Sequence, residues 1–227
     1  MSSRKLTVAI DGPVGSGKST VAKLVAAELG YMHIDTGAMY RAVALLAHRR
    51  NISYSDAHAL GRIAKSAKMS FLRVGAEQHI FVDGEDVEAE IRTPEMSQAS
   101  SVVSALPEVR AALVEKQREM GRSGGVVMEG RDIGTVVLPW AEVKVFLTAS
   151  PEERARRRTI QLLEQGVKVD YRQVLAELNA RDERDSSRDL APLKPAPDSV
   201  VVDSTHMSLG EVVDKIVELV RSKERLL

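Results

Sequence analysis

Leu6-Thr7-Val8-Ala9-Ile10-Asp11-Gly12-Pro13-Val14-Gly15-Ser16-Gly17-Lys18-Ser19-Thr20 is the stretch that decides the architecture. Leu6–Ile10 is a short run rich in branched aliphatics and closed by Asp11, the pattern of a buried strand. Gly12 through Ser19 then reads G-x-x-x-x-G-K-S, and Lys18 opens a long amphipathic stretch. Strand, glycine-rich turn and helix in that order form a cradle for a phosphate. The glycines let the backbone wrap an anion with its N–H groups inward, and the helix N-terminus adds partial positive charge. In this pattern Lys18 reaches the β- and γ-phosphates of a nucleoside triphosphate, and the Ser19 hydroxyl is the candidate ligand for Mg²⁺. A flexible Gly/Ser turn is the competing reading, yet such turns seldom place Lys-Ser at a helix start. The expected ATP seat is therefore Gly12, Pro13, Val14, Gly15, Ser16, Gly17, Lys18, Ser19 and Thr20.

The rest of the chain extends the same alternation. Val126–Met128, Val143–Leu147 and Val200–Val202 read as further buried strands. Lys18–Leu29, Ala38–Arg50, Val109–Met120, Glu152–Glu164, Arg172–Arg188 and Leu209–Arg221 read as helices, with Gly30 and Gly121 as stops. Thr93-Pro94 and Ser150-Pro151 look like N-caps followed by proline at the first helical position. Alternating strands and helices predict an α/β fold, a parallel sheet flanked by helices. Met69–Val74, His79–Val82 and Val87–Ile91 break the rhythm, being short, β-like and separated by polar turns such as Asp83-Gly84. They predict a small antiparallel β insertion over residues 66–92, set into a core of 1–65 and 93–227.

Composition narrows the function classes. The 227 residues carry 32 Lys+Arg and 32 Asp+Glu, so the formal charge is zero, which argues against a general nucleic-acid coat. Cysteine is absent, which excludes disulfides, thiolate metal sites and cysteine nucleophiles. His33, His48, His58, His79 and His206 show no metal-ligand spacing and read as surface or core residues. Leu6–Ile10 is too short for the apolar part of an export signal, and Ile133–Ala149 is interrupted by Pro139, Glu142 and Lys144. A cytoplasmic protein with no membrane partner is expected.

Three classes use such a phosphate loop: small-molecule kinases, GTPase switches, and motors on nucleic acid. No Asn-Lys-x-Asp guanine-reading tetrapeptide occurs in the sequence, and neutral charge disfavours a motor. A kinase has to gather many negative oxygens, and arginine forks are the natural neutralising groups. Arg181, Arg184, Asp185 and Arg188 would share a face spanning about 100° of one helix. That face suits an anionic substrate, and equally a solvated salt-bridge ladder with Asp182, Glu183 and Asp189. Arg154, Arg157 and Arg158 share another face, where pairing with Glu152 and Glu153 is the stronger reading. Asp35-Thr36-Gly37-Ala38-Met39-Tyr40-Arg41 sets a hydroxyl at a helix start with an arginine one turn in, a plausible acceptor-phosphate seat. Gly130-Arg131-Asp132 follows a strand at the carboxyl edge, where α/β sheets hold ligands.

These segments together resemble the bacterial cytidylate kinases, a family of nucleoside monophosphate kinases. The resemblance rests on Ile10-Asp11-Gly12-Pro13 with its loop, Asp35 to Arg41, Glu90-Ile91-Arg92-Thr93, and Gly130-Arg131-Asp132-Ile133-Gly134-Thr135-Val136-Val137. Arg181-Asp182, Arg184-Asp185, Ala191-Pro192-Leu193 and Asp203-Ser204-Thr205 carry it to the last strand. It implies a P-loop kinase core, a monophosphate-binding insertion at 66–92 and a short helical lid at about 151–166. It implies Thr36, Ser101, Arg110 and Asp132 on the cytosine side, Arg41, Arg131 and Arg188 at the acceptor phosphate, and Tyr40 elsewhere in the CMP site. Arg181 with Asp185 would hold the pentose, and Arg157 would serve ATP from the lid. Lys18, Arg131, Asp132 and Arg188 would carry catalysis, with Mg²⁺ bound at Ser19 and otherwise through waters. The implied reaction moves the γ-phosphoryl of ATP onto CMP or dCMP in a monomer; another small P-loop kinase (shikimate or adenylate kinase) or a nucleotide-dependent binding module are the alternatives. Three positions depart from the family's usual form: Thr36 for serine, Glu129 for aspartate, and Trp140 for an acidic residue.

Overall fold

The structure, a computed structural model, describes residues 5–75 and 77–226. Its contacts divide the chain into two units, one of Met1–Met32 with Gly124–Leu227 and one of His33–Ser123.

The first unit is built on β1 (Thr7–Asp11), whose five residues are all buried. It pairs in parallel with β6 (Val126–Gly130) on one side and β7 (Val143–Thr148) on the other, with Asp11 level with Gly130 and with Phe146. β8 (Val200–Asp203) extends the sheet beyond β7, and β2 (Met32–Asp35) closes the other edge, giving the order β2-β6-β1-β7-β8. Strands buried on both faces favour apolar residues at successive positions, which is why β1 and β6 carry Val8-Ala9-Ile10 and Val126-Val127-Met128 and β7 is aliphatic and aromatic apart from Lys144 and Thr148. One face of the sheet is covered by α1 (Lys18–Leu29) and α9 (Leu209–Glu224), whose Val21, Val25, Val212, Ile216 and Val220 join Val8, Ile10 and Leu147 in one core. Helices α7 (Pro151–Glu164) and α8 (Tyr171–Ser187) form a satellite cluster of Ala155, Leu162, Val174 and Leu178, against which Val14 of the glycine loop packs.

The second unit has its own core. α2 (Thr36–Arg49), α3 (Ala57–Ser66), α5 (Pro94–Val103) and α6 (Pro107–Gly121) bury Met39, Leu60, Met96 and Leu113 together. A three-stranded antiparallel sheet, β3 (Met69–Val74), β4 (Glu77–Val82) and β5 (Glu85–Asp86), adds Ile80 and Val82 to it.

Four sequence expectations need correction. Val87–Ile91 is not a strand: Glu88–Ile91 is a helical turn, α4, while Glu85–Asp86 is the third strand. The Asp86 carboxylate accepts the Glu88 amide, and Glu88 pairs with Arg92 one turn on, so side chains stabilise a turn that the aliphatic pattern disguises. Val200 and Val201 are exposed because β8 is an edge strand. Gly121 is the last residue of α6 rather than a stop beyond it. α8 ends at Ser187, one residue short of the expected Arg188, which is its C-cap with φ −68° and ψ 142° and still keeps its Nη1 3.8 Å from Asp185 Oδ1. The ladder ends there because the Asp185 carbonyl accepts the Leu193 amide at 2.7 Å. α3 was invisible as a short run, although Asp56 caps it and Leu60, Ile63 and Ala64 follow helical spacing.

Gly12 shows what the fold demands of this sequence. Its φ is +152°, and a Cβ there would lie 2.0 Å from the Leu147 carbonyl oxygen, so strand β7 occupies the space. Gly30 caps α1 with φ +65° and open space around it. Gly30→Ala should therefore cost only the left-handed strain of about 1–2 kcal/mol. Gly12→Ala must also displace a buried backbone and should cost at least about 3 kcal/mol, lowering Tm by roughly 6–12 °C. Thermal melts of both variants check the contrast; equal shifts would contradict it.

Candidate functional site

At the end of β1 the chain turns through Gly12–Gly17 into α1, and Lys18, its first residue, is 5% exposed. The ammonium donates to the Pro13 carbonyl at 2.7 Å and lies 3.4 Å from Ser16 Oγ, both neutral oxygens. Burial drives its pKa well below the usual lysine range, and the nearby Arg131 and Arg181 push it the same way, against Glu129 and Asp11. A cation held like this favours any arrangement that brings an anion to it.

Asp11 anchors the opposite wall. Its carboxylate accepts the Ile133 and Gly134 amides at 2.8 and 2.7 Å, fixing the π-helical turn Ile133–Val137 that follows Gly130-Arg131-Asp132. Burial raises its pKa to about 6 despite those two hydrogen bonds. Ser19 Oγ donates to Glu129 Oε2 at 2.9 Å, and Glu129 is buried at the end of β6. A hydroxyl beside a carboxylate suits a hard, oxygen-preferring cation that keeps most of its waters, so the residues fit Mg²⁺.

Arg131 Nε donates to Asp185 Oδ2 at 3.1 Å, and Arg188 Nη1 lies 3.8 Å from Asp185 Oδ1 while its Nε donates to the Ala191 carbonyl. Within the first unit, then, the loop, Lys18, Ser19, Arg131, Asp132, Arg181, Asp185 and Arg188 gather around the carboxyl ends of β1 and β6. Arg188 reaches the cluster from the C-cap of α8. Arg157 is committed to Glu153 at 2.8 Å and to Ser204, through its hydroxyl at 3.0 Å and its carbonyl at 2.7 Å. Arg154 is not paired with Glu152 or Glu153: it is 4% exposed and turns to the loop, while Arg156 takes the second Glu153 contact.

The second unit holds Thr36, Tyr40, Arg41, Ser101 and Arg110. Thr36 and Tyr40 are buried on α2, Arg110 is buried on α6, and Ser101 is partly exposed on α5. Asp35 anchors the start of α2 and the Arg41 side chain. Its carboxylate caps α2 by accepting the Ala38 amide at 2.9 Å, and also accepts Arg41 Nη2 and Arg92 Nη1 at 2.8 Å each. A Cβ at Gly37 would sit 3.1 Å from Asp35 Oδ1 and 3.2 Å from Arg41 Nη1, so glycine there makes room for the pair. Arg41 Nε is buried and has no hydrogen-bond partner among the described residues. Sequence reasoning left Asp35 and Arg92 out of the site; an aspartate N-cap six residues before an arginine was the signal available for the first. Trp140 is solvent-exposed.

The family model described as "Cytidylate kinase" matches residues 8–222. A protein named cytidylate kinase from Caldicellulosiruptor bescii is 51% identical over 216 residues, 95% of this chain and 96% of that one. Another of that name from Pelotomaculum thermopropionicum is 52% identical over 220 residues, 96% of this chain and 97% of that one. Among solved structures, an uncharacterized protein from Eubacterium ventriosum aligns over 96% of this chain and 99% of its own, with TM-score 0.53 and 12% identity. Shikimate kinase from Acinetobacter baumannii aligns over 97% and 95%, with TM-score 0.50 and 14% identity. Identities that low bear on the fold alone, and they support the P-loop kinase architecture.

Burial alone would raise the pKa of Asp35, yet Arg41 and Arg92 outweigh it and hold the carboxyl well below its usual range. A depressed carboxylate adds stability above the unfolded value of about 3.9 and loses it as pH falls. Asp35→Asn should therefore be less stable than the parent at pH 7, and the difference should shrink by about 1 kcal/mol by pH 3. Urea melts at the two pH values measure this; a difference independent of pH would contradict the assignment.

Proposed function

The chain belongs to the cytidylate kinase family and phosphorylates CMP from ATP, and from that premise we propose how its residues divide the work. The observation that carries the proposal is Lys18, a buried cation whose hydrogen bonds go to neutral oxygens and whose neighbours include two further cations. The triphosphate of ATP supplies a direct anionic partner, where Glu129 and Asp11 act on Lys18 only through space. The amides of Gly12, Pro13's successor Val14, Gly15, Ser16 and Gly17 line the phosphates, with Lys18, Ser19 and Thr20 at the helix start. Arg157 serves the donor nucleotide from α7, within the lid at about 151–166.

On the acceptor side, Thr36, Ser101, Arg110 and Asp132 read the cytosine edge, whose amino donor and ring acceptors need partners of both kinds. Arg41, Arg131 and Arg188 hold the acceptor phosphate, Tyr40 lines the CMP site, and Arg181 with Asp185 holds the ribose or deoxyribose. The insertion at 66–92 belongs to the monophosphate-binding part. The attacking phosphate oxygen is already anionic at neutral pH, since the second pKa of such a phosphate is about 6. No general base is then needed, and Asp132 acts by orienting CMP. Lys18, Arg131 and Arg188 counter the charge that spreads over the equatorial oxygens in an in-line transfer. Ser19 and Glu129 would hold Mg²⁺, which when bound would supply positive charge against the phosphate oxygens.

No helix among the described residues is long and apolar enough to cross a membrane. We place the enzyme in the cytoplasm as a monomer of pyrimidine nucleotide metabolism, acting on small molecules and not on nucleic acid.

ADP release measured with CMP, dCMP, UMP, AMP and shikimate as acceptors tests the reading: CMP and dCMP should turn over fastest. Faster turnover of AMP or shikimate would overturn it. Lys18→Ala should keep its melting temperature within a few degrees and lose about a thousandfold in kcat; near-normal turnover would remove Lys18 from the reaction.

A further inference from the structure

Arg154 stands in α7, outside the proposed nucleotide contacts, and is almost wholly buried. Its Nε donates to the Ala149 carbonyl at 3.0 Å, and its Nη1 donates both to the Val14 carbonyl at 3.1 Å and to Asp182 Oδ2 at 2.5 Å. The other Asp182 oxygen is buried with no partner among the described residues, so Arg154 is the compensation visible for that carboxylate. The contact with the glycine loop continues along the backbone: a Cβ at Gly15 would lie 3.0 Å from the Arg154 carbonyl oxygen and 3.1 Å from its Cβ. The Val14 side chain packs on the α7–α8 cluster at the same place.

We propose that Arg154 is a positioning residue for the phosphate-binding loop, acting through the Val14 carbonyl rather than by touching ATP. In a planar trans peptide the C=O and the following N–H point in opposite directions. A guanidinium that holds the Val14 oxygen therefore turns the Gly15 N–H the other way, into the loop. Pro13 is treated alike, its carbonyl being taken by Lys18. Two successive carbonyls are thus held by cations, and their negative ends are kept from a bound phosphate. Without Arg154 the Val14–Gly15 peptide is free to rotate, losing one amide for the phosphate and presenting an oxygen to it.

The inference rests on the loop being the ATP seat, and the test separates the two. ADP titration of the parent without CMP establishes the seat; if the parent binds no ADP, that reading falls and the inference with it. Arg154→Gln should raise the ADP dissociation constant and the KM for ATP about tenfold, while the KM for CMP stays within about twofold. Arg154→Lys, which keeps the cation but has no fork for three acceptors, should recover part of the ATP affinity. A lower Tm with parental ADP affinity and KM for ATP would show a merely structural residue and overturn the proposal. Should Arg154→Gln fail to fold, Asp182→Asn decides: it keeps the shape but removes the charge that steadies the guanidinium. A severalfold rise in KM for ATP supports the proposal there, and an unchanged value overturns it.

Discussion

An ammonium group withdrawn from water and hydrogen-bonded, among the described residues, to neutral oxygens is the constraint around which this site is arranged. Lys18 cannot be moved outward without losing its place at the head of α1, and it cannot be neutralised by a carboxylate without blocking the anion it is there to meet. The surrounding design follows. β1 must end where the loop begins, so Asp11 is buried and spends its carboxylate on the Ile133 and Gly134 amides. Gly12 must pass against the β7 backbone, which no side chain permits. Glu129 and Asp11 supply negative charge at a distance that moderates the cationic cluster without cancelling it.

Carboxylates serve as fixtures for arginines in both units. Asp185 takes Arg131 at hydrogen-bond distance and Arg188 more loosely, Asp182 takes Arg154, and Asp35 takes Arg41 and Arg92. Long guanidinium side chains lose considerable rotamer freedom when an anionic ligand orders them. A carboxylate that orders them beforehand lowers that cost, at the expense of competing with the ligand for the same donors. The unpartnered Arg41 Nε is the kind of donor such an arrangement leaves for a ligand.

The sheet and its main helices were legible because burial on both faces writes continuous aliphatic runs, and because the G-x-x-x-x-G-K-S spacing has a strand before it and a helix after it. Local chemistry was legible too: Thr93 and Ser150 cap α5 and α7 as the Thr-Pro and Ser-Pro pairs indicate. What escaped the sequence was set by partners distant along the chain. The spacing rule pairs Arg154 with its neighbouring glutamates, whereas the fold offers it Val14, 140 residues away, and Asp182. Helical periodicity carries α8 through Arg188, whereas a backbone bond from Leu193 to Asp185 ends it at Ser187. The sequence does not single out Asp35; the fold makes it the N-cap of α2, and the return of Arg92 to the same carboxylate gives it a second task.

The central claim is direct transfer between two nucleotides held by positive charge, with no group on the protein taking the phosphoryl. Single-turnover quenching of the enzyme with CMP and ATP carrying a radioactive γ-phosphate tests it most directly. The account predicts that the label passes from ATP into the β-phosphate of CDP, with none attached to protein at any time point. A labelled protein that forms before CDP and decays into it would contradict the account.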